Sequence, residues 1–188
     1  MQHLGTSVLE TPRLILRPFR LEDADAMYAN WASDSEVTKY LTWPAHENIE
    51  VTKNILQDFV SHYSETDYYH WAITLGDNGD KPIGSIISVF DDKNEKLKMV
   101  TIGYCIGRNW WNQGIVSQAF DRVIRYHFTE VGINRIEAAH DINNPSSGRV
   151  MQKCGMKYEG TLRAASINNQ GVHDKAVYSI LKKEYECM

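Results

Sequence analysis

The fold is decided by residues 100–128, which read VTIGYCIGRNWWNQGIVSQAFDRVIRYHF. This segment predicts a strand over Val100–Ile106, an aromatic turn over Gly107–Gln113 and a helix that begins at Gly114. The helix is indicated by apolar side chains at spacings of three and four residues, with polar side chains on the other side. The apolar set comprises Val116, Ala119, Phe120, Val123, Ile124, His127, Phe128 and Val131.

Gly114 lies at the predicted junction between the strand and the helix. Because glycine has no Cβ atom, a ligand can approach the main chain closely at this point. The first turn of a helix also has N–H groups without an internal partner and the positive end of the helix dipole. The junction is therefore a candidate phosphate site. A plain strand-to-helix turn is the simpler interpretation of one glycine taken alone.

Composition places the chain among ordinary globular proteins. It has 188 residues, 43% of them hydrophobic and 23% charged, so we expect one domain over residues 1–188. The net charge of −4 and the scattered lysines and arginines argue against a nucleic-acid partner. No apolar run approaches the length of about 18 residues that a membrane span needs, and the first ten residues do not resemble a signal peptide.

Three cysteines, Cys105, Cys154 and Cys187, form an odd number without the spacing of a metal site. This pattern is typical of a reducing compartment rather than of a secreted disulfide scaffold. We therefore expect a soluble, cytoplasmic protein that has no membrane segment and no metal centre.

The remaining sequence predicts three further helices and six further strands. The further strands are the edge strand Leu14–Phe19, then Tyr68–Leu75, Pro82–Phe90, Arg135–Asp141, Tyr158–Asn168 and Val172–Leu181, and the strand described above extends back to Leu97, as Leu97–Ile106. The further helices are Leu21–Ala32, Glu47–Tyr63 and a helix from Asn144 to Cys154. The apolar face of the helix Glu47–Tyr63 comprises Val51, Ile55, Phe59, Leu56 and Val60. The connections at 76–81 and 91–96 are rich in turn residues, which favours an antiparallel meander.

The short helix has clear end signals, since Asn144 is a good N-cap residue, Pro145 suits the first helical position and Gly155 follows the end. Together these elements predict an α/β (α+β) single-domain fold. Its sheet is mixed but mostly antiparallel, with about seven strands, and about four helices flank it.

Two stretches carry a family resemblance. The first is Tyr104–Ala119, with its central Trp-Trp-Asn-Gln-Gly-Ile-Val-Ser-Gln run, and the second is Asn144–Met156. They resemble the acetyl-CoA-binding loop and the following Asn-x-x-Ser helix of the GNAT N-acetyltransferases, most closely those of the RimJ/RimL type that modify ribosomal proteins. Thr11–Pro18 and Tyr40–Pro44 also resemble that type, so the similarity extends over Leu9–Leu181.

The resemblance implies transfer of an acetyl group from acetyl-CoA to an amine, without a metal. It implies that main-chain N–H groups of Asn112, Gln113, Gly114, Ile115, Val116 and Ser117 hold the CoA pyrophosphate. The pantetheine arm would follow Tyr104, Cys105 and Ile106 through main-chain hydrogen bonds. An N–H group of that strand would polarise the thioester carbonyl.

The loop departs from the family pattern Gln/Arg-x-x-Gly-x-Gly/Ala. Its three anchor positions are Trp111, Gly114 and Val116, so only the middle glycine is kept. Tryptophan at the first position is common in the RimJ/RimL type. Because main-chain donors recognise the pyrophosphate, we expect binding to survive the bulkier Val116.

A second departure concerns the proton for the leaving thiolate. Many GNAT enzymes place a tyrosine general acid where this chain has Met151, which has no proton to give. Ser147, one turn earlier, has a hydroxyl donor. We predict that Ser147 donates the proton or stabilises the thiolate, and that Asn144 orients Ser147, the pantetheine arm or a water.

Simpler roles compete with each of these assignments. Asn144 caps a helix whether or not it contacts a ligand, and Ser147 is also explained as a solvent-facing serine of a first turn. Lys153 in the last turn complements the helix dipole, and Trp110 and Trp111 either cover a ligand or fill the core. Cys105 is interpreted as a small apolar residue rather than a nucleophile.

His46, His140 and Glu137 are candidate general bases, although a single histidine is more often structural. A site without an evident base favours α-amines over lysines. An α-amine with a pKa near 8 is about one-tenth neutral at pH 7, whereas the neutral fraction of a lysine with a pKa near 10.4 is roughly 250-fold smaller, a difference of roughly 3 kcal/mol. A water chain could also carry the proton.

We therefore predict that the acceptor is a protein N-terminus of the ribosomal-protein kind. A small amine, such as a polyamine, an amino acid or an aminoglycoside-like antibiotic, is the enzymatic alternative. A non-catalytic module that senses acyl-CoA is the other alternative, and Met151 is its support. We expect the acceptor pocket to form from Ser33–His46 and the last hairpin, and relatives of this type suggest a homodimer.

Overall fold

The computed structural model describes residues 1–76, 80–90 and 96–187, so most of the two predicted turns, at 77–79 and 91–95, lies outside the described residues. The strands are β1 Leu9–Glu10, β2 Leu14–Arg17, β3 Tyr69–Leu75, β4 Pro82–Val89, β5 Met99–Ile106, β6 Arg135–Asp141, β7 Lys157–Asn168 and β8 Gly171–Leu181. The helices used below are α1 Ala24–Met27, α2 Ser35–Thr38, α3 Ile49–His62, α4 Ile115–Tyr126, α5 Pro145–Lys153 and α6 Lys182–Tyr185.

Two helices continue into other helical geometries. A 3-10 turn at Leu21–Asp23 precedes α1 and a π turn at Tyr28–Ala32 follows it, which together give the helical run predicted for this segment. A second π turn, His127–Val131, extends α4.

The described strands form one eight-stranded sheet in the order β1-β2-β3-β4-β5-β6-β8-β7. All neighbouring strands are antiparallel except β5 and β6. The predicted mixed, mostly antiparallel sheet is therefore confirmed. The predicted edge position of β2 is wrong, because the short strand β1 pairs outside it through Leu9 and Leu16.

The parallel pair β5–β6 is short and opens the sheet. Its pairing runs only from Met99 opposite Arg135 to Thr101 opposite Glu137. Beyond that point β5 remains paired with β4 and β6 remains paired with β8, but the two strands no longer pair with each other. A slot therefore opens in the middle of the sheet, between the carboxyl ends of β5 and β6.

Helices cover both faces of the sheet. On one face α4 and α5 bury Ile115, Phe120 and Met151 against the strands. On the other face α1 packs with α3, and a second cluster forms around Trp31 and Leu56. The slot is flanked by α5 on the first face, and this places it beside the helix with the Asn-x-x-Ser pattern.

The buried face predicted for α3 is confirmed at Leu56 and Phe59, which belong to the α1–α3 cluster, but is wrong at Val51, Ile55 and Val60. Leu56 and Thr52 are fully buried, whereas Val51, Ile55 and Val60 are 36–37% exposed. Asn48 caps this helix by accepting hydrogen bonds from the main-chain N–H groups of residues 50 and 51. The periodicity was ambiguous because apolar residues occupy two adjacent faces of α3, and only packing against the sheet selects one of them.

Candidate active site

Residues 112–117 line a cavity of about 510 Å³ between β5, α5 and the segment around α2. None of their main-chain N–H groups donates to an acceptor in the described parts of the chain, and the first helical bond runs from Gln118 N–H to the Gly114 carbonyl at 3.1 Å. Asn112 and Gly114 have φ angles of 60° and 74°, in the left-handed region. Six unpaired N–H groups at the positive end of α4 fit a pyrophosphate.

Three side chains donate hydrogen bonds to main-chain carbonyl oxygens in and around this loop. Arg13 Nη1 donates to the Gln113 carbonyl at 3.2 Å, and Gln113 Nε2 donates to the Asn109 carbonyl at 2.7 Å. The indole N–H of Trp111 donates to the Ile106 carbonyl at 3.0 Å. Because these bonds occupy carbonyl oxygens around the turn, the main-chain groups that remain available to a ligand are mostly N–H donors.

The main chain of β5 also has unpaired groups at the slot. Gly107 N–H donates to the Ile83 carbonyl at 2.9 Å. This bond shows which residues of β5 direct their main-chain groups toward β4. Because ladder bonds alternate in an antiparallel pair, Tyr104 and Ile106 direct their main-chain groups to the opposite edge, where β6 no longer pairs. Tyr104 therefore offers an N–H and a carbonyl to a ligand in the slot.

Cys105 is placed differently from its neighbours. The same alternation commits its main-chain groups to Ser85 of β4, although the residue lines the cavity. Its thiol lies 3.5 Å from the Ser85 hydroxyl and packs beside the α1–α3 cluster. Burial raises the pKa of this thiol, which agrees with its interpretation as a small apolar residue.

Ser147 faces Tyr104 across the cavity. The Tyr104 hydroxyl lies 2.9 Å from Ser147 Oγ and donates to the Ser147 carbonyl at 3.0 Å. The family resemblance implies only main-chain contacts for Tyr104, whereas the structure also places its side chain at the site. The alternation along β5 could have revealed its side chain, since Val100, Ile102 and Ile106 turn to the same face as Tyr104 and pack in the α4–α5 core.

Met151 and Asn144 complete this part of the site. Met151 is 1% exposed and fills the core, so its position holds no polar group near the cavity. Asn144 lines the cavity and its carbonyl accepts from Ser147 N–H at 3.2 Å. The predicted N-cap position of Asn144 on α5 is confirmed, but its side chain forms no capping hydrogen bond. The structure also shows no bond between the Asn144 side chain and the Ser147 hydroxyl.

A second cavity of about 250 Å³ occupies the slot itself. It is lined by Tyr40, Leu41, Thr42, Ile102, Gly103, Tyr104, Ala139, His140, Asp141, Asn144, Ser147 and Met151. Tyr104, Asn144 and Ser147 line both cavities, together with two residues of the segment after α2. The two cavities thus meet at the Tyr104–Ser147 pair.

Charges differ between the cavities. Lys39, Arg149 and Lys153 line the larger one, together with Glu36, and suit an anionic ligand. Among the described residues around the slot there is no lysine or arginine, and Asp141 contributes a carboxylate. Burial raises the pKa of Asp141, but hydrogen bonds from Asn143 and Asn168 and the nearby His173 outweigh it, so the pKa is lowered and the group is ionised near neutral pH.

The far wall of the slot is assembled by Asn169, at the turn between β7 and β8. Its N–H donates to the Leu41 carbonyl at 3.1 Å, and its Nδ2 donates to the carbonyls of Thr38 and Trp43, each at 2.8 Å. The structure thus brings together the Ser33–His46 segment and the last hairpin, the two regions expected to form the acceptor pocket.

Of the three candidate bases, only His140 is among the described residues that line the slot, and its unpaired ring nitrogen is buried. His140 Nδ1 donates to the Asp141 carbonyl at 2.7 Å, and its Nε2 is buried against Gly148 without a partner in the described residues. His46 bonds to the Thr52 hydroxyl at 2.8 Å and lines neither cavity. Glu137 forms an ion pair with Arg135 at 3.0 Å.

Two kinds of feature are absent from the described residues. No helix among them is long and apolar enough to cross a membrane. No group of three or more histidines, cysteines and acidic residues lies close enough together to hold a metal ion in residues 1–76, 80–90 and 96–187.

Comparison with known proteins assigns the family. The model of the acetyltransferase (GNAT) domain matches residues 13–157. The uncharacterized N-acetyltransferase YoaA of Bacillus subtilis (strain 168) is 35% identical over 175 residues, which cover 93% of this chain and 97% of that protein. The ribosomal-protein-serine acetyltransferase of Escherichia coli (strain K12) is 29% identical over 82 residues, or 44% of this chain and 46% of that protein.

Solved structures agree with this result. The GNAT-family acetyltransferase from Bacillus anthracis superposes with a TM-score of 0.81 at 25% identity, covering 94% of this chain and 99% of that one. The match in sequence runs through both the N–H loop and the Ser147 helix. This chain therefore belongs to the GNAT family of N-acetyltransferases, which use acetyl-CoA as cosubstrate.

Proposed function

We propose that the acceptor of this N-acetyltransferase is the N-terminal α-amine of a protein, of the ribosomal-protein kind. The observation that carries the proposal concerns the bases where the slot joins the cofactor cavity at Ser147 and Tyr104. Among the described residues that line the slot, none offers a base that is both unpaired and exposed, because His140 donates from Nδ1 to the Asp141 carbonyl and its unpaired Nε2 is buried against Gly148. The similarity to a ribosomal-protein-serine acetyltransferase supports the class of substrate, although it extends over less than half of the chain.

Acetyl-CoA supplies an activated acetyl group as a thioester, whose C–S bond breaks as the amine nitrogen forms the new C–N bond. The N–H groups of residues 112–117 would bind its pyrophosphate, and Lys39, Arg149 and Lys153 add positive charge around it. The unpaired main-chain groups of Tyr104 would align the pantetheine arm, and one strand N–H would stabilise negative charge on the reacting oxygen.

Ser147 is the proposed donor to the departing sulfur. Its hydroxyl lies where the two cavities meet, half-buried in the first turn of α5. The amine nitrogen loses one proton during the reaction and the sulfur gains one, so Ser147 needs only to pass a proton on. Asn144 lines the same junction and would orient the pantetheine arm or a water there.

The state of the candidate bases favours one kind of amine. An α-amine is about one-tenth neutral at pH 7 and can attack directly, whereas a lysine amine needs roughly 3 kcal/mol more to lose its proton. His46 and Glu137 are engaged by other groups, and the unpaired Nε2 of His140 is buried against Gly148. The pocket therefore supports an acceptor amine that has a substantial neutral fraction at pH 7 before it binds.

A small amine remains the second candidate, and the charge of the slot favours a cationic one. Asp141 is the acidic residue among its described lining residues, which include no lysine or arginine. Its buried carboxylate accepts hydrogen bonds from Asn143 and Asn168, so it would act on a ligand through its charge. A polyamine or an aminoglycoside-like compound would be attracted to this carboxylate, whereas the carboxylate of a free amino acid would be repelled.

Release of free CoA thiol, measured with a panel of amines, tests the proposal. The panel comprises a serine-initiated peptide, the same peptide with a blocked N-terminus and an internal lysine, spermidine and free serine. We expect the highest kcat/KM for the peptide with the free N-terminus. A higher kcat/KM for spermidine than for the peptide would show that the acceptor is a small amine and not a protein N-terminus. Tight acetyl-CoA binding without turnover of any amine would show a sensor instead of an enzyme.

A further inference from the structure

Ser147 shares its hydroxyl with a tyrosine of the neighbouring strand. Tyr104 Oη lies 2.9 Å from Ser147 Oγ and 3.0 Å from the Ser147 carbonyl oxygen. The phenol ring is held against Phe120 with a centroid distance of 5.3 Å. In the described parts of the chain, Ser147 is the residue with which this phenol forms hydrogen bonds.

The two hydroxyl protons can be arranged in two ways. In the first, the phenol donates to the carbonyl, which can only accept, and the serine hydroxyl donates to the phenol oxygen. In the second, the phenol donates to Ser147 Oγ, and the serine proton is free to turn toward the cavity. The two arrangements differ only in rotation of the hydroxyl hydrogens, so no heavy atom has to move between them.

We propose that Tyr104 is a positioning residue, which fixes the Ser147 hydroxyl at the junction of the cavities and directs its proton toward the leaving sulfur. The inference rests on the acetyl transfer proposed above. The proton balance closes without a change in Tyr104: the serine proton passes to the sulfur, the proton lost by the amine nitrogen replaces it on Ser147, and the phenol keeps its own proton throughout.

Three observations agree with this role. Burial raises the pKa of the Tyr104 phenol, so the group stays a neutral donor rather than becoming a phenolate. The Asn144 side chain makes no hydrogen bond to Ser147 and so does not hold it. Met151, one turn after Ser147, is buried in the core and has no hydroxyl, so it does not hold the serine.

The variant Tyr104→Phe tests the inference, because it keeps the ring against Phe120 and removes only the hydroxyl. We expect kcat to fall about tenfold, the effect of one lost hydrogen bond to the donor, while the KM for acetyl-CoA stays within about twofold. Tyr178→Phe is the matched control. The Tyr178 hydroxyl also contacts α5, 3.4 Å from Gln152 Nε2, but Tyr178 lines neither cavity, so kcat should not change.

The double variant distinguishes positioning from an independent effect. If Tyr104 acts through Ser147, then Tyr104→Phe in a Ser147→Ala background should lower kcat no further than Ser147→Ala alone. A full additional tenfold loss in the double variant would overturn the inference. So would a Tyr104→Phe enzyme with unchanged kcat, or one whose defect lies only in acetyl-CoA affinity. A wild-type protein inactive on every amine would instead refute the proposed function, and the inference would fall with it.

Discussion

The two sides of the Tyr104–Ser147 junction are built in different ways. The proposed cofactor side takes its candidate anion site from six consecutive residues, 112–117, through main-chain N–H groups at the start of α4. The proposed acceptor side has a wall built from segments more than 120 residues apart, which the side chain and N–H of Asn169 join. The first side is local and uses the main chain, whereas the second is long-range and includes two hydrogen bonds from one side chain.

This difference has a consequence for how each side tolerates change. A site built from main-chain groups keeps its hydrogen-bond donors when most side chains change, which explains how Val116 and Trp111 can replace other residues of the family pattern. It loses its geometry when a residue with a Cβ atom is placed where the backbone needs a left-handed φ. A wall held by side chains can be re-formed by other residues. The acceptor side is therefore the part of the molecule where specificity can diverge while the cofactor side stays the same.

The largest expected effect is at the cofactor side. Gly114→Asp places a side chain at φ 74° and a negative charge beside the six N–H groups, so we expect acetyl-CoA affinity to fall more than about 100-fold. Calorimetric titration with acetyl-CoA measures the loss. Gly132→Asp is the matched control, since it imposes the same kind of strain at φ 82° at the other end of the helical run. Equal loss in both variants would mean that folding, not the anion site, was affected.

Each face of the sheet also has one buried histidine, and these allow the stability of the two sides to be compared. His127 lies in the α4 core and bonds to the Ser88 hydroxyl at 2.8 Å, whereas His70 packs on Phe59 beside α3. Burial lowers the pKa of each to about 3 from 6.5. The unfolded chain therefore binds more protons as the pH falls below 6.5, and folding loses up to about 1.4 kcal/mol per pH unit for each histidine.

Urea unfolding between pH 6.5 and 5 measures this dependence. His127→Phe and His70→Phe should each reduce the slope of the unfolding free energy against pH by up to about 1.4 kcal/mol per pH unit, which corresponds to one proton. This change in slope is independent of any change in the unfolding free energy at a fixed pH. His62→Phe is the control, because the imidazole of His62 is exposed and its pKa is raised by a hydrogen bond to the Asp58 carbonyl. An unchanged slope in either buried variant would show that the histidine is protonated within the folded protein.

The smallest expected effect is at the acceptor side. Asn169→Ala removes the two side-chain bonds to the carbonyls of Thr38 and Trp43 but keeps the N–H bond to Leu41. We expect the KM for the amine to rise about fivefold, as for roughly 1 kcal/mol of lost hydrogen bonding, while the dissociation constant of acetyl-CoA stays the same. Steady-state kinetics with both substrates varied separates the two effects. A matching loss in acetyl-CoA affinity would show that the two sides are coupled through the junction.

The sequence predicts the local side of the site and much of the fold. The meander, the Gly114 junction and the final hairpin follow from periodicity and turn residues, which act over a few positions. The sequence does not predict the Tyr104–Ser147 contact, because it joins residues 43 positions apart and depends on where α5 docks. The same holds for Asn169, whose turn residue character indicates a hairpin tip but not the loop to which it binds.

The error in α3 has a similar origin. Its apolar residues, including Val51 and Ile55, are compatible with two orientations of the helix, and the neighbouring side chains of the sheet and α1 select the one with Thr52 and Leu56 inside. A buried threonine is a poor signal in a sequence, because its hydroxyl argues for the surface. Here the Thr52 hydroxyl finds a partner in His46, which no local pattern reveals.

Trp111 gives the protein an optical property. Its indole is 44% exposed at the wall of the larger cavity, while Trp31 and Trp71 are at most 1% exposed and the other two of the five tryptophans are partly buried. A ligand that displaces water from this ring changes the polarity around it, so its fluorescence emission should shift to shorter wavelength on binding. Cavity occupancy can thus be followed in the unlabelled protein. Trp110 lines the same cavity, so Trp111→Phe should reduce the signal and the double variant with Trp110→Phe should abolish it.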